Sequence, residues 1–397
     1  MKNTYAILGS GMQGTAAAYD LALFGDAKEI LMADMSLDQA KKSAEKVNKL
    51  TNKDICKPTQ LDAQDGAILE NFLQPVDVLI SCVPYWMHPK VAPVAIKSNT
   101  HMIDLGGNTN VTWETLKFDE DAKKAGVSIV PDTGLAPGLV VSIAEYFIEH
   151  FDETESIKLY CGGLPQNPKP PFNYKLAFHI EGLLTEYTGK AIALRDGKIC
   201  EIDTLTELET GLMTELGELE AFVTSGGTST APYTWEGKVN NFEYKTFRYP
   251  GHCEKMKLFK DYGFWELEPI NIKGVQLRPQ DLFNQLMGEA LKEDDRSDYV
   301  VIRGIAYGKS GGRHKEMQLD ILDRYDSKTD FTAMERMTGF SASIYAIEIA
   351  NGNTQPGCLR YENAVSGTRF MAELSKRDIN LNYWETKDLD LNQQAVA

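Results

Sequence analysis

The sequence predicts an α/β protein: a doubly wound parallel sheet followed by a second, α+β domain carrying an open mixed sheet. Three observations predict it. Apolar runs at residues 5–8, 29–34, 76–84, 101–107 and 127–132 alternate with helix-like stretches, the pattern of parallel strands joined by crossover helices. Gly9, Gly11 and Gly14 stand directly after the first run and before a helical segment. After Pro137-Gly138 the alternation stops, and segments rich in Gly, Pro and Thr separate strand-like stretches at 156–161 and 243–248.

Each element has its reason. Residues 5–8 (Tyr-Ala-Ile-Leu) form the opening strand, and Gly9-Ser10-Gly11-Met12-Gln13-Gly14 follows it as a GxGxxG turn. Gly9 permits the tight turn, Gly11 lets backbone approach a pyrophosphate, and Gly14 lets the helix pack closely, with Met12 and Gln13 completing the cradle at a helix N-terminus. The second strand closes on Asp34, twenty positions beyond Gly14, where a carboxylate can accept both ribose hydroxyls. A dinucleotide site is therefore expected, and NAD rather than NADP. A 2′-phosphate would be repelled by Asp34; Met35 and Ser36 bring no arginine, and Lys41 and Lys42 come a helical turn or more later. The plainer role for Asp34 is to cap the following helix, 37–50. A short strand at Ile55 leads to Asp62, placed to reach an adenine edge. The near-continuous run 76–84 reads as a central fourth strand covered on both faces, and Cys82, Val83 and Pro84 at its end should line the cofactor. Six strands fit by residue 132, a Rossmann sheet. The dinucleotide-binding domain is then 1–137, completed by about 336–397, whose helix 339–350 packs back on it; 138–335 is the substrate-binding domain.

Composition narrows the function. Forty-three per cent hydrophobic content over 397 residues supplies ample cores. Lys plus Arg number 41 against 57 Asp plus Glu, a net charge of -16 without a basic tract, which disfavours nucleic acid and anionic membrane as partners. No apolar stretch approaches the ~18–20 residues of a membrane span, and the chain opens on a strand, so a cytoplasmic protein is expected. Six scattered cysteines and six histidines form no CxxC or HExxH pattern, predicting no metal.

In a doubly wound fold, chemistry gathers at the carboxyl ends of the strands. Three segments end there: 83–88, 104–108 and 132–138. His88 suits a proton shuttle or a carboxylate contact, or else caps the next helix; Tyr85 is a second candidate beside it. Asp132 could meet a substrate ammonium or accept its proton, with turn formation as the plain alternative. Asp104 could brace these loops from below. From the second domain, the loop 224–230 (Thr-Ser-Gly-Gly-Thr-Ser-Thr) offers Ser225 and Thr228 as a clamp for an amino-acid carboxylate, or is only a polar turn. Strand alternation puts Lys245 and Arg248 on opposite faces. Arg248 suits a bidentate carboxylate grip, and Lys245, if desolvated beside the cofactor, could act as base; either could instead form a surface ion pair.

The strings CGGLPQNPKPPFNYKLAFHIEGLLTEYT from Cys161, TSGGTST from Thr224 and EYKTFRYPGH from Glu243, with PDTGLAPG and TGFSASIYAIEIANG, resemble the lysine 6-dehydrogenases within the saccharopine dehydrogenase family. Tyr174, inside the first string, joins the expected substrate contacts. The resemblance implies oxidation of a carbon–nitrogen bond by hydride transfer to NAD, giving an imine that water hydrolyses. For L-lysine this leaves 2-aminoadipate 6-semialdehyde. It implies a homo-oligomer, foremost a dimer. Tyr85 and His88 in PYWMH look more like the saccharopine reductases, whereas the absence of arginine from TSGGTST favours the smaller substrate. Saccharopine-type or carboxynorspermidine-type dehydrogenases are the neighbouring alternatives, and a dinucleotide-bound sensor without turnover is the alternative from another class.

Overall fold

The computed structural model describes residues 3–176 and 180–387. Its first sheet is built from β1 (Asn3–Leu8), β2 (Ala27–Asp34), β3 (Cys56–Gln60), β4 (Val78–Ser81), β5 (His101–Asp104) and β6 (Ser128–Val130), all parallel in the order β3-β2-β1-β4-β5-β6. Strand order reverses between β1 and β4, so the crevice for a ligand opens at their carboxyl ends. All four residues of β4 are buried, which is why its stretch of sequence is uninterrupted by polar positions.

The second sheet is mixed, as expected. It uses β7 (Glu153–Pro165), β8 (Lys190–Arg195), β9 (Lys198–Asp203), β10 (Glu209–Thr214), β11 (Gly217–Val223) and β12 (Asn241–Arg248). A small hairpin, β13 (Ile270–Ile272) with β14 (Val275–Leu277), lies apart from it, and β15 (Asp298–Ser310) with β16 (Arg313–Arg324) forms a long hairpin within it. β12 runs parallel to β7, while β11 and β15 flank that pair in antiparallel pairing. Helix Ile180–Tyr187 joins β7 to β8 and lies over the cleft between the sheets.

The chain then returns to the first sheet. Helix Ala333–Ala350 opens on a capping box, Thr332 with Glu335, and packs on helix Met12–Phe24, the helix that follows the glycine turn. Gly339 makes this approach possible: a Cβ there would stand 2.8 Å from both the Ala16 Cβ and the Ala17 nitrogen. β17 (Gly357–Cys358) extends the sheet beside β6. Arg377 then reaches buried Asp20 on the glycine-turn helix, with Nε 2.9 Å from Oδ1 and Nη2 2.9 Å from Oδ2. The expectation that the whole tail completes the first domain needs correction at one element. β18 (Leu381–Lys387) pairs antiparallel with β16 in the second sheet, because the exposed edge of that long hairpin offers it a ladder of unpaired backbone groups. The rest of the expected segment, 388–397, lies outside the described residues. No helix among the described residues is long and apolar enough to cross a membrane.

Candidate active site

The glycine turn is shaped as its sequence requires. Gly9 has φ +97°, and a Cβ there would lie 2.8 Å from the Cys82 carbonyl oxygen and 3.2 Å from the Val83 nitrogen. A Cβ on Gly14 would stand 2.2 Å from the Gly9 carbonyl oxygen, whereas one on Gly11 would meet nothing within 4 Å. That open space, above a helix N-terminus with no side-chain cap and no acid in its first turn, fits a pyrophosphate. Met12, next in the turn, is 52% exposed, and Gln13 carries a buried amide oxygen without a hydrogen-bond partner. The Ser10 carbonyl is held by Gln39 Nε2 and Ser43 Oγ, each at 2.7 Å, which fixes the turn.

Asp34 closes the other side of this cradle. Its two oxygens accept the Ser10 and Ser36 amides, each at 3.0 Å, which aims the carboxylate over the turn and leaves lone pairs for ribose hydroxyls. Ser36, not Asp34, caps the next helix. Asp62 sits just past β3 and accepts the Gln64 amide at 2.9 Å, on the side of the sheet where an adenine would lie. Cys82, Val83 and Pro84 leave β4 beside Gly9; burial pushes the Cys82 thiol up to about 12, so it stays protonated.

Between the two sheets lies a cleft with two adjoining chambers, about 330 and about 160 Å³. The larger is lined by Tyr85, Asn108, Asp132, Glu181, Ser225 and Ser229 among others, the smaller by Tyr174, Thr246 and Arg248; Ala136, Glu186 and Tyr244 border both. Asp132 is 1% exposed and held at φ +68°, a backbone conformation unusual for a non-glycine residue. Its Oδ2 accepts Ser229 Oγ at 2.6 Å and Thr112 Oγ1 at 2.8 Å. Its Oδ1 has no hydrogen-bond partner. Burial and the neighbouring Asp104 raise this carboxyl to about 7, against the lowering effect of the two hydroxyls, with Glu362 adding to the rise. A buried acid with one oxygen anchored, the other unspent, and a proton exchanged near neutrality is equipped for acid–base work.

At the second chamber Arg248 donates Nε to the Tyr187 hydroxyl and Nη1 to the Phe247 carbonyl, both at 2.9 Å, and its guanidinium lies 4.9 Å from the Tyr174 ring centre. Its Nη2 faces Glu186 Oε2 at 3.7 Å. Arg248 and Tyr174 thus stand side by side at the wall of the smaller chamber.

Four expected roles are corrected. Lys245 does not face the cleft: alternation along β12 turns Tyr244, Thr246 and Arg248 inward and sends Lys245 to the opposite face. There its ammonium donates to Glu209 Oε1 at 2.6 Å and to the Glu207 carbonyl at 2.9 Å. It is a part-buried ion pair. His88 is 2% exposed beneath the strand ends, with Nδ1 3.2 Å from Ser81 Oγ and Nε2 3.9 Å from Asp104 Oδ1, and it does not line the cleft. Asp104 Oδ1 in turn accepts the Gly106 and Asp132 amides, so His88 and Asp104 support the site from below. Ser225 lines the cleft, but its hydroxyl is spent on the Thr185 and Glu186 carbonyls, tying its loop to helix Ile180–Tyr187. Thr228 is buried outside the cleft, where its carbonyl accepts the Tyr361 hydroxyl. Tyr85 does line the larger chamber, packed against Gly107. The residues missed are Thr112, Ser229, Glu186 and Tyr244. Ser229 stands four positions past Ser225 in a loop already singled out, Glu186 and Tyr244 lie inside the family-like strings quoted above, and Thr112 carried no local signal. Among the described residues no three His, Cys, Asp or Glu side chains converge as metal ligands.

Comparison with known proteins agrees with this architecture. Residues 5–130 match the saccharopine dehydrogenase NADP binding domain, and residues 134–379 the saccharopine dehydrogenase C-terminal domain. The chain is 25% identical to the saccharopine dehydrogenase [NADP(+), L-glutamate-forming] of Pyricularia oryzae, over 70% of this chain and 65% of that one. It is 25% identical to the mitochondrial alpha-aminoadipic semialdehyde synthase of Mus musculus, over 80% of this chain and 34% of that one. It therefore spans about two thirds or less of these curated relatives. Apo saccharopine dehydrogenase (L-Glu forming) from Saccharomyces cerevisiae superposes with a TM-score of 0.79 at 20% identity, covering 97% of this chain and 100% of that one. With a dinucleotide cradle, a second mixed sheet and both domain models matched along nearly its whole length, the chain belongs to the saccharopine dehydrogenase family.

Proposed function

We propose that this protein is an NAD-dependent amino-acid dehydrogenase that oxidises the bond between C6 and the 6-amino nitrogen of L-lysine, releasing ammonia and 2-aminoadipate 6-semialdehyde. The charge inventory of the cleft carries the proposal. Among the described residues lining its two chambers are three acids, Asp132, Glu181 and Glu186, and one cation, Arg248. Lysine brings two ammonium groups for an acidic cleft and one carboxylate for its one cation. Saccharopine brings three carboxylates and asks for more than one cationic partner.

Each group has a task. Arg248 orients the substrate carboxylate, its guanidinium held by Tyr187 and Phe247. The carboxylate of Asp132, at the wall of the larger chamber, takes a proton from the 6-ammonium, while Ser229 and Thr112 keep it from rotating. When bound, the dinucleotide supplies the hydride acceptor. Gly11 and the helix behind it would hold its phosphates, and Asp34 its ribose. Asp34, with no arginine among residues 35–42, supports NAD even though the Pyricularia oryzae relative is named for NADP(+).

Purified protein offered L-lysine, saccharopine and a carboxylated polyamine, each with NAD and with NADP, should reduce NAD fastest with lysine. Preference for saccharopine would overturn the substrate, and absence of turnover with every amine would favour a dinucleotide-bound sensor. Asp132→Asn should lower kcat by roughly 10²–10⁴-fold with NAD affinity, read by calorimetry, unchanged. The homodimer and cytoplasmic location expected from the sequence belong to the same proposal, and light scattering of the purified protein reads the first of them.

A further inference from the structure

Glu186 is the feature of the cleft that this reaction does not yet use. It sits in the last turn of helix Ile180–Tyr187, and its side chain, 37% exposed, borders both chambers. Its backbone carbonyl receives the Ser225 amide at 2.8 Å and the Ser225 hydroxyl at 3.3 Å, so loop 224–230 pins the turn that carries it. Opposite, the Arg248 guanidinium is locked by Tyr187 and Phe247 and backed by the Tyr174 ring. Glu186 Oε2 and Arg248 Nη2 stand 3.7 Å apart, beyond hydrogen-bond length, in a chamber of about 160 Å³. An ion pair held at 3.7 Å, with one partner fixed and the other 37% exposed, presents the mirror of a zwitterion. We infer that Glu186 and Arg248 form a receptor for an α-amino-acid head group, with Glu186 binding the α-ammonium and Arg248 the α-carboxylate.

This rests on the reading of the substrate as a free amino acid and adds a specificity-determining residue to it. A head group held in the small chamber leaves the far end of the substrate to the larger chamber, where Asp132 lies. A substrate then needs an amine at one end and an intact α-amino acid at the other. Simple diamines lack the group for Arg248, and ω-amino acids lack the group for Glu186.

The test compares L-lysine with 6-aminohexanoate, which keeps the carboxylate and the distal amine and lacks only the α-amine. In Glu186→Gln, kcat/KM for lysine should fall about 10- to 100-fold, the loss of one charge-assisted hydrogen bond, while that for 6-aminohexanoate stays within about threefold. Equal losses on both compounds would overturn the inference, as would a lysine-selective loss in Glu181→Gln in place of Glu186→Gln. If wild-type protein turns over neither compound, the proposed reaction fails on its own. The receptor is then read from calorimetric titration of the NAD-loaded protein. Lysine binding more tightly than 6-aminohexanoate in wild type, with the gap closed in Glu186→Gln, supports it; an unchanged gap overturns it.

Discussion

Replacing Ser229 by Ala probes how the second domain sets the chemistry of an acid on the first. Ser229 Oγ donates to Asp132 Oδ2 at 2.6 Å across the cleft, and Thr112 supplies the only other hydrogen bond to that oxygen recorded among the described residues. A hydrogen bond to an ionised group contributes roughly 1.5–3 kcal/mol, and one pKa unit is about 1.4 kcal/mol. Losing Ser229 should therefore lift the Asp132 carboxyl about one to two units above its present value of about 7. The groups around it other than the two hydroxyls, Asp104 and Glu362, are acids that already favour the proton, and the buried Tyr361 hydroxyl nearby stays neutral. In the proposed mechanism the ionised form is the base, so the sign is fixed: activity present at neutral pH is displaced to higher pH. Half of the wild-type carboxyls are ionised at pH 7, against roughly 1–10% in the variant, which predicts kcat/KM lower by about 5- to 50-fold at pH 7 and recovering above about pH 9. The assay is the pH profile of kcat/KM for both proteins, followed through the absorbance of reduced cofactor. A variant whose loss is the same at every pH, or whose rising limb stays where the wild type has it, would refute the reasoning, because a merely structural defect has no such pH signature.

Other expectations follow from the same geometry. Gly11→Ala should melt at the wild-type temperature and bind NAD at least about tenfold more weakly, since its methyl enters open space meant for phosphate. Gly14→Ala, with its Cβ 2.2 Å from the Gly9 carbonyl, should lower stability by about 1–3 kcal/mol or more in denaturant titration. Asp34→Ala should weaken NAD by about tenfold and narrow its advantage over NADP, read by titrating each cofactor; an unchanged ratio would remove Asp34 from cofactor choice. Lys245→Met should cost about 1–3 kcal/mol by breaking the pair with Glu209, yet leave kcat/KM within about twofold. A variant that folds but does not turn over would return Lys245 to the chemistry.

What the sequence made legible depended on range. The parallel sheet could be read because its inner strands β1, β4, β5 and β6 are buried on both faces and announce themselves locally, and the glycine turn because three positions must lack a side chain. The long β15–β16 hairpin escaped notice, since beyond the short apolar run Tyr299–Ile302 its strands alternate buried with partly exposed positions. Within the site, Asp132 and Arg248 were visible as unusual residues at strand ends. Which face of β12 would meet the cleft was not, because alternation separates Lys245 from Arg248 without saying which side the partner domain covers. Ser229 and Asp132 are 97 positions apart, and Thr112 and Asp132 are 20. Hydroxyls converging on one carboxylate from two domains leave no periodic trace.

The union of Asp20 with Arg377 has a bearing on how the protein is made. The partners are 357 positions apart, and both are almost fully buried. During synthesis the nucleotide-recognition turn emerges before the segments that carry Gly339 and Arg377, on a helix whose acid has no counter-charge yet and whose small-residue face, Ala16 and Ala17, awaits Gly339. The cradle for the cofactor is therefore finished only after segments more than three hundred positions downstream have been made. A nascent or prematurely terminated chain would display the nucleotide signature without the buttress that lets it grip.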